Sequence, residues 1–377
     1  MEQLVRLGDV CTVVSGSTPK TSVDEYWNGD VKWITPAELD ADSYYIHDSV
    51  KHITELGRTK TGLSYMPVGT VILSSRAPIG KTAILGCEMC CNQGFKNLIC
   101  TDRIFNEYLY HFLRAKTNYL NSLGRGATFK ELSKGIVENV LIPLPAIEEQ
   151  HHIADLFASV EELIQTKKQQ LDLFDELVKS RFIELFGDKG YPEDSLLNLC
   201  NIIDYRGKTP EKVEYGLPFI TAKNVRMHQM NLEPREYISK ETYDKVMVRG
   251  FPKEGDVVFT TEAPLGNVCR IPHFDTEFYI GQRIVTLQTE KLEPIYLEYA
   301  LSSDDFKMKY MGKSSGSTVT GIRVRLLEQL TIPVPPIELQ EQFAAFVEQT
   351  DKSKSAVQQS IAELEELKKS LMQKYFG

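Results

Sequence analysis

Three groups of residues in this chain could take part in chemistry. A Gly-Lys-Thr triplet at residues 80–82 resembles the end of a P-loop, in which backbone N–H groups and a lysine hold the phosphates of a nucleotide. A Cys-x-x-Cys-Cys run at residues 87–91 could supply thiolates to zinc. A pair of histidines at residues 151–152 could bind a metal or act as a general base.

An internal repeat provides a control for these motifs. The segment LIPLPAIEEQ at residues 141–150 recurs as TIPVPPIELQ at residues 331–340, which is an offset of 190. The segment GTVILSSRAPIG at residues 69–80 recurs as GDVVFTTEAPLG at residues 255–266, which is an offset of 186. The chain therefore contains one unit twice, and chemistry that the unit requires should be present in both copies.

The second copy keeps none of the three motifs. The Gly-Lys-Thr triplet becomes Gly-Asn-Val at residues 266–268, and Ser75 replaces the first glycine of a P-loop, so a turn between two strands is favoured. The cysteine pair becomes Tyr-Ile at residues 279–280, which favours buried free cysteines in a strand. The histidines become Glu-Gln at residues 341–342. We therefore expect no catalytic residues, no metal and no cofactor.

The composition is typical of a folded protein with about two domains. The 377 residues are 42% hydrophobic and 25% charged, which excludes disorder, a collagen-like fibre and a disulfide scaffold. The sequence has no apolar stretch of about 18 residues, and its first residues lack the apolar core of a signal peptide. We expect a cytoplasmic protein that has reduced cysteines and does not bind a membrane.

Each copy divides into a strand-rich part and a long helix. The strand-rich parts are rich in Gly, Pro and short apolar runs, which predict strands broken by turns. The helical parts carry apolar residues every seven positions and no internal Pro or Gly over residues 148–186 and 338–376. The predicted domains are a first strand-rich module at 1–145, a central long helix at 146–190, a second strand-rich module at 191–336 and a C-terminal long helix at 337–377.

The predicted fold class is α+β, with two tandem, pseudo-twofold-related strand-rich domains separated by two long antiparallel coiled-coil helices. Heptad spacing over about 35 residues predicts a coiled-coil seam between the helices. At the usual rise, each helix would span roughly 50 Å and act as a ruler between the modules. The alternative is that each long helix packs only on its own module.

The distribution of charge leaves the modules free to bind an anion. The net charge of the chain is −9, and residues 146–191 contribute −5 of it. Residues 1–145 are neutral overall, and residues 192–336 carry −2. Basic faces can therefore exist on both modules.

Basic residues gather in turns beside Gly, Ser and Thr, and they recur around Gly126 and Gly316 in the two copies. Lysines in such turns reach phosphates, and arginines can read guanine edges. The candidate contacts to a nucleic acid are Lys20, Arg76, Lys96, Arg125, Lys130, Arg206, Lys208, Lys223, Arg226, Lys313 and Arg323.

The repeated arrangement resembles the specificity subunit of type I restriction–modification systems. The resemblance covers the whole chain and rests on the Ile-Pro-[Leu/Val]-Pro-x-Ile-Glu-x-Gln segments within residues 141–150 and 331–340, with the Gly126 and Gly316 turns ahead of them. It implies that the two modules are target recognition domains, that the long helices dock modification subunits, and that the chain reads a bipartite target in double-stranded DNA.

The resemblance also implies partners that carry out the chemistry. Two modification (methyltransferase) subunits would methylate adenine with S-adenosylmethionine, and restriction (nuclease and translocase) subunits would cleave DNA with ATP. The chain itself would be a non-catalytic specificity subunit.

Two other classes of function remain open on the residues alone. A coiled-coil scaffold or interaction protein without DNA readout would keep the long helices but would not need basic Gly/Ser turns in both modules. A stand-alone nuclease or methyltransferase would need a catalytic constellation, which the three motifs do not provide.

Overall fold

Two compact units make up the protein. The computed structural model describes residues 4–40, 42–126, 130–205, 210–314 and 320–377. Unit 1 consists of Met1–Gln169 together with Gln358–Gly377, and unit 2 consists of Gln170–Val357. Each unit therefore contains one strand-rich segment and parts of two long helices.

The strands of unit 1 form sheets beside its helices. The strands are β1 Leu4–Arg6, β2 Cys11–Ser15, β3 Trp27–Ile34, β4 Tyr45–Ile46, β5 His52–Ile53, β6 Val71–Ser74, β7 Thr82–Leu85, β8 Cys90–Cys91, β9 Phe95–Cys100 and β10 Leu141–Pro143. The helices are α1 Leu7–Val10, α2 Glu55–Thr61, α3 Asn106–Ala115, α4 Thr117–Leu123, α5 Lys134–Glu138 and the first part of α6 Ile147–Phe186, with 3-10 turns at Asp24–Tyr26 and Pro36–Glu38. One sheet has the order β2-β9-β6-β7-β4, another has the order β5-β3-β8, and β1 pairs with β10.

Unit 2 repeats these elements. Its strands are β11 Glu193–Ser195, β12 Asn201–Asp204, β13 Leu217–Ile220, β14 Val225–Arg226, β15 Gln229–Met230, β16 Tyr237–Ile238, β17 Val257–Thr260, β18 Val268–Arg270, β19 Tyr279–Ile280, β20 Ile284–Gln288 and β21 Thr331–Pro333. Its helices are the last part of α6, α7 Leu196–Leu199, α8 Lys240–Val246, α9 Pro294–Ser302, α10 Asp304–Met311, α11 Val324–Leu327 and the first part of α12 Ile337–Phe376.

The sheets of the two units follow the same order. The order β12-β20-β17-β18 in unit 2 matches β2-β9-β6-β7 in unit 1, and β16-β13-β19 matches β5-β3-β8. Within the smaller sheets, β3 pairs with β8 and β13 pairs with β19 in parallel. The predicted α+β fold with two tandem repeats and two long helices is confirmed.

The central strand β6 is buried on both faces. Val71 and Leu73 pack in the cluster that contains α3, whereas Ile72 packs on the opposite side with Ile34 of β3. A strand that is covered on both sides has a continuous apolar run rather than alternating polarity. The strand β17 has the same arrangement in unit 2.

In unit 1, the start of α6 pairs with the end of α12. The Phe376 ring stacks on Phe157 of α6, with centroids 5.7 Å apart, and also lies 5.3 Å from the ring of Tyr108 on α3. Nearer the middle of α6, Glu161 forms an ion pair with Lys368. Residue numbers rise along α6 while those of their partners fall along α12, so this part of the pair is antiparallel.

In unit 2, the end of α6 pairs with the start of α12. The ring of Phe186 lies 5.6 Å from Phe343 of α12 and 4.8 Å from Tyr296 of α9. Asp175 of α6 forms an ion pair with Lys354 of α12. The predicted antiparallel pairing is therefore confirmed, and the alternative in which each helix packs only on its own module is wrong.

The described helices are unlike membrane spans. No helix in the described ranges combines the length and the low charge that crossing a bilayer requires.

A buried glutamine in the first turn of each long helix accounts for the glutamine that ends each repeated segment. Gln150 is fully buried: its Oε1 accepts from Phe105 N at 2.9 Å, and its Nε2 donates to the carbonyls of Arg103 and Pro145, both at 3.0 Å. Gln340 likewise accepts from the backbone N of Glu293 at 3.0 Å. Each glutamine ties the start of a long helix to the residue before α3 or α9.

We predict that Gln150→Leu lowers the free energy of unfolding by about 2 kcal/mol, because it leaves buried backbone groups without partners. Denaturant unfolding followed by circular dichroism measures the change. Gln165→Leu, on an exposed position of α6, is the matched control and should change stability little. Equal effects of the two substitutions would contradict this role for Gln150.

Candidate nucleic-acid interface

Loops at one end of the larger sheet of unit 1 are joined by backbone hydrogen bonds. Strands β2 and β6 end there, and β7 and β9 begin there. Ser75 N donates to Gly94 O at 2.7 Å, and Leu132 N donates to Ser75 O at 2.8 Å. Gly16 N donates to Phe95 O at 3.2 Å. We call this end of the sheet the rim of unit 1, which comprises residues 16–20, 75–81, 92–94, 125–126 and 130–132.

Glu131 brings four predicted contacts of unit 1 together. Its Oε2 lies 3.1 Å from Arg76 Nε, and its Oε1 lies 3.5 Å from Lys96 Nζ. Its backbone pairs with that of Arg125 through hydrogen bonds of 2.9 and 3.1 Å, and Lys130 is the preceding residue. One carboxylate cannot neutralise four cations, so this cluster keeps a positive charge. Arg76, Arg125 and Lys130 are exposed.

Lys96 differs from the other cations because it is buried. The residue is only 4% exposed, and its Nζ lies 3.3 Å from Ser75 Oγ. Burial lowers the pKa of Lys96, and the nearby Glu131 carboxylate opposes that shift only in part. Lys96 is therefore placed to hold Glu131 and Ser75 rather than to extend into solvent.

Lys20 ends the first loop of the rim. At the start of the loop, only glycine fits at position 16, because a Cβ there would lie 2.1 Å from Asn92 O. The Asn92 side chain also holds the loop, since its Nδ2 donates to Thr18 Oγ1 at 2.9 Å. At its end, Trp27 Nε1 donates to Lys20 O at 3.2 Å. These contacts hold the backbone of Lys20, while its side chain is exposed.

Unit 2 has a rim in the equivalent place. Thr261 N donates to Arg283 O, and Ile322 N donates to Thr261 O, both at 2.9 Å. The Arg283 Nε lies 2.9 Å from Glu262 Oε1 in an ion pair between two exposed side chains. The rim of unit 2 comprises residues 261–267, 281–283 and 320–323.

Arg283 is not among the contacts predicted from the sequence; the repeat shows a change of charge on the loop that Arg283 faces, but does not identify Arg283 itself. Glu262 occupies the position of Arg76 at the offset of 186, so the sign of the charge on this loop is reversed between the units. Arg283, from the loop before β20, forms the ion pair with this carboxylate. Both rims thus pair a cation with a carboxylate, but from different loops.

The other predicted residues of unit 2 lie in three places. Arg323 is exposed on the rim, and Lys313 is exposed at the end of α10. Lys223 and Arg226 are exposed at the β14–β15 hairpin. Asn267 Nδ2 donates to Val225 O at 2.8 Å, which ties this hairpin to the rim. Two further predicted contacts lie outside the described residues, namely Arg206 and Lys208.

A groove lies beside the cluster of unit 1. It encloses about 780 Å³, and its lining includes Tyr119, Arg125 and Glu131. Tyr119 is 48% exposed. An aromatic face next to basic side chains is a surface on which a base or a sugar can pack.

Two of the motifs that suggested chemistry have structural roles. Lys81 Nζ donates to the carbonyls of Leu39 at 2.5 Å and Pro36 at 3.2 Å, and the chain runs strand, turn, strand from β6 to β7. The interpretation of this motif as a strand turn is confirmed. Cys90 and Cys91 are buried on opposite faces of β8, and burial raises the pKa of Cys90 to about 11. Within the described ranges, no group of His, Cys, Asp or Glu side chains is arranged to hold a metal.

Known proteins are similar to this chain in sequence and in fold. Residues 2–173 and 194–366 match the family described as Type I restriction modification DNA specificity domain. The type I restriction enzyme MjaIX specificity subunit of Methanocaldococcus jannaschii is 28% identical over 98% of this chain and 91% of that protein. The MjaVIII specificity subunit of the same organism is 25% identical, with the same coverage.

Two solved structures have a similar fold. One comes from a structural study of complex assembly and conformational transition in the type I R-M system. Its TM-score is 0.66 at 22% identity, and the match covers 99% of this chain and 97% of that chain. The other is the type I restriction–modification S subunit from M. genitalium, with a TM-score of 0.56, 14% identity and coverage of 100% and 96%. The family match extends over both copies of the repeat, and the chain therefore belongs to the family of type I restriction–modification DNA specificity proteins.

Proposed function

We propose that the chain reads a bipartite target in double-stranded DNA, one half-site with the strand-rich part of each unit. The observation that carries this proposal is the pair of equivalent rims, each with exposed cations on loops joined by backbone hydrogen bonds. Lysine and arginine side chains on rigid loops can position a protein on phosphates and read base edges. A coiled-coil scaffold would not need such a rim in both units.

The target recognition domains correspond to residues 1–145 and 191–336, and the spacer helices to residues 146–190 and 337–377. The family match supports two such modules because it covers each copy of the repeat separately. Since the modules have different loop residues, the two half-sites should differ in sequence.

The proposed DNA contacts are the exposed cations of the two rims, of the β14–β15 hairpin and of the end of α10. The lysines contact phosphates, and the arginines can donate hydrogen bonds to the edge of a guanine. Lys96 contacts no DNA; from beneath the rim it holds Glu131 and Ser75. Arg206 and Lys208 are included because the sequence predicts them as contacts; both lie outside the described residues. The proposed contacts are Lys20, Arg76, Arg125, Lys130, Arg206, Lys208, Lys223, Arg226, Lys313 and Arg323, together with Arg283 from the structure.

Partner subunits complete the proposed activity. The relatives are named specificity subunits of type I restriction enzymes, which supports assembly with modification and restriction subunits. In the proposed complex, two modification subunits methylate adenine and the restriction subunits cleave DNA. The chain supplies the reading of DNA and no catalytic group. Its strand-rich parts are near neutral, so it should bind DNA weakly without its partners, because phosphate neutralisation dominates affinity.

The test is to map methylated adenines in cells that contain the modification subunits, with and without this chain. We predict a set of methylated adenines that depends on the chain and lies in a motif of two specified half-sites separated by unspecified bases. Methylation that does not depend on the chain, or a motif with a single uninterrupted block, would contradict the proposed function.

A second prediction concerns one phosphate contact. In the complex with its modification subunits, Lys130→Ala should weaken binding to all DNA sequences by a similar factor and reduce the salt slope by about one. Lys60→Ala, on an exposed position of α2 outside the rim, is the matched control and should leave both quantities unchanged. A loss confined to one base of the target would argue that Lys130 reads sequence and does not hold a phosphate.

A further inference from the structure

Glu298 of α9 is a buried carboxylate that is held by two basic side chains, one on strand β18 and one in the β14–β15 turn. Its side chain is only 2% exposed. Arg270 Nε of β18 donates to Glu298 Oε2 at 2.7 Å, and His228 Nδ1 lies 2.8 Å from Glu298 Oε1. Burying a carboxylate is costly unless it is paired and hydrogen-bonded, and both oxygens of Glu298 have partners.

Arg270 extends this network to the long helix α12. Its Nη2 lies 3.8 Å from Asp351 Oδ2, and all of these residues belong to unit 2. Burial works against the charge of Arg270, but Glu298 and then Asp351 raise its pKa above the usual value. The guanidinium therefore stays charged and joins α9, β18 and α12.

His228 extends the same network to the β14–β15 hairpin. It lies in the turn of that hairpin with a φ of +59°, and its backbone N donates to Val268 O at 2.8 Å. Its ring stacks on Tyr299 at 4.2 Å, and Tyr299 in turn packs edge-on against Phe343 of α12 at 5.2 Å. The hairpin that carries Arg226 is thus connected to the long helix through polar and aromatic contacts.

Unit 1 has no carboxylate at the equivalent position. Tyr108 and Tyr296 correspond, since their hydroxyls donate to the carbonyls of Pro143 and Pro333 at 2.8 and 2.7 Å. Two residues farther along α3, the position of Glu298 is occupied by Tyr110. The network is therefore specific to unit 2.

We propose that Glu298 is a positioning residue that fixes the strand-rich part of unit 2 on α12, so that the complex accepts only one separation between the two half-sites. This inference rests on the proposed function. Glu298 itself contacts no DNA; it acts through Arg270 and His228. Without its carboxylate, the β14–β15 hairpin loses its polar link to α12, so the strand-rich part of unit 2 tolerates small displacements relative to the helix. Gln340 and the aromatic contacts still hold the two together, and the rim keeps its own structure.

The experiment uses the complete complex with its modification subunits. Methylation rates are measured on duplexes with the native spacer and with spacers one base pair shorter and longer, and on duplexes with a changed second half-site. We expect Glu298→Gln to reduce the preference for the native spacer about tenfold, while the preference for the half-site sequences is kept. Asp351→Asn, at a side chain that is 48% exposed, should fold normally and cause a smaller loss in the same direction.

Glu241→Gln is the matched control. This carboxylate of α8 is exposed and pairs with Lys245 at 2.6 Å in the same unit, so its loss should leave spacer preference unchanged. A preference that stays intact in both test variants, or rates that fall equally on all spacers, would overturn the inference. If the unaltered complex ignores changes in the second half-site, the proposed function itself fails, which is a distinct result.

Discussion

Each strand-rich part depends on the antiparallel pairing of two helix segments that lie far apart in sequence. In unit 1, Phe376 near the end of the chain fills the space between Phe157 and Tyr108. In unit 2, Phe186 fills the equivalent space beside Tyr296. A buried phenylalanine side chain contributes about 1.5–3 kcal/mol. The helices are therefore part of the core of both units, and the buried glutamines fix where each helix begins.

This constraint explains why the sequence predicts the architecture so well. Heptads, a Pro-rich segment with a conserved pattern in both copies, and an offset near 190 all report on the same repeated unit. Strand β6 is predicted from its continuous apolar run because it is covered on both faces. These signals are local or periodic, so they can be read without coordinates.

The candidate site is less predictable because it depends on contacts between distant loops. The sequence shows Lys96 only as one more basic residue. In the structure its side chain is buried under the rim beside Ser75 and Glu131. Arg283 faces Glu262 across two loops, and Glu298 is one carboxylate among many in the sequence. Charge and burial are set there by tertiary neighbours, which neither periodicity nor composition encodes.

In the proposed function, each strand-rich part reads its own half-site. A chimera tests this division: residues 1–145 are replaced with a second copy of residues 191–336, and the adenines that the complex methylates are mapped. We expect a target in which the second half-site is present twice and the first is absent. A target that still contains the first half-site would show that residues 1–145 do not read it.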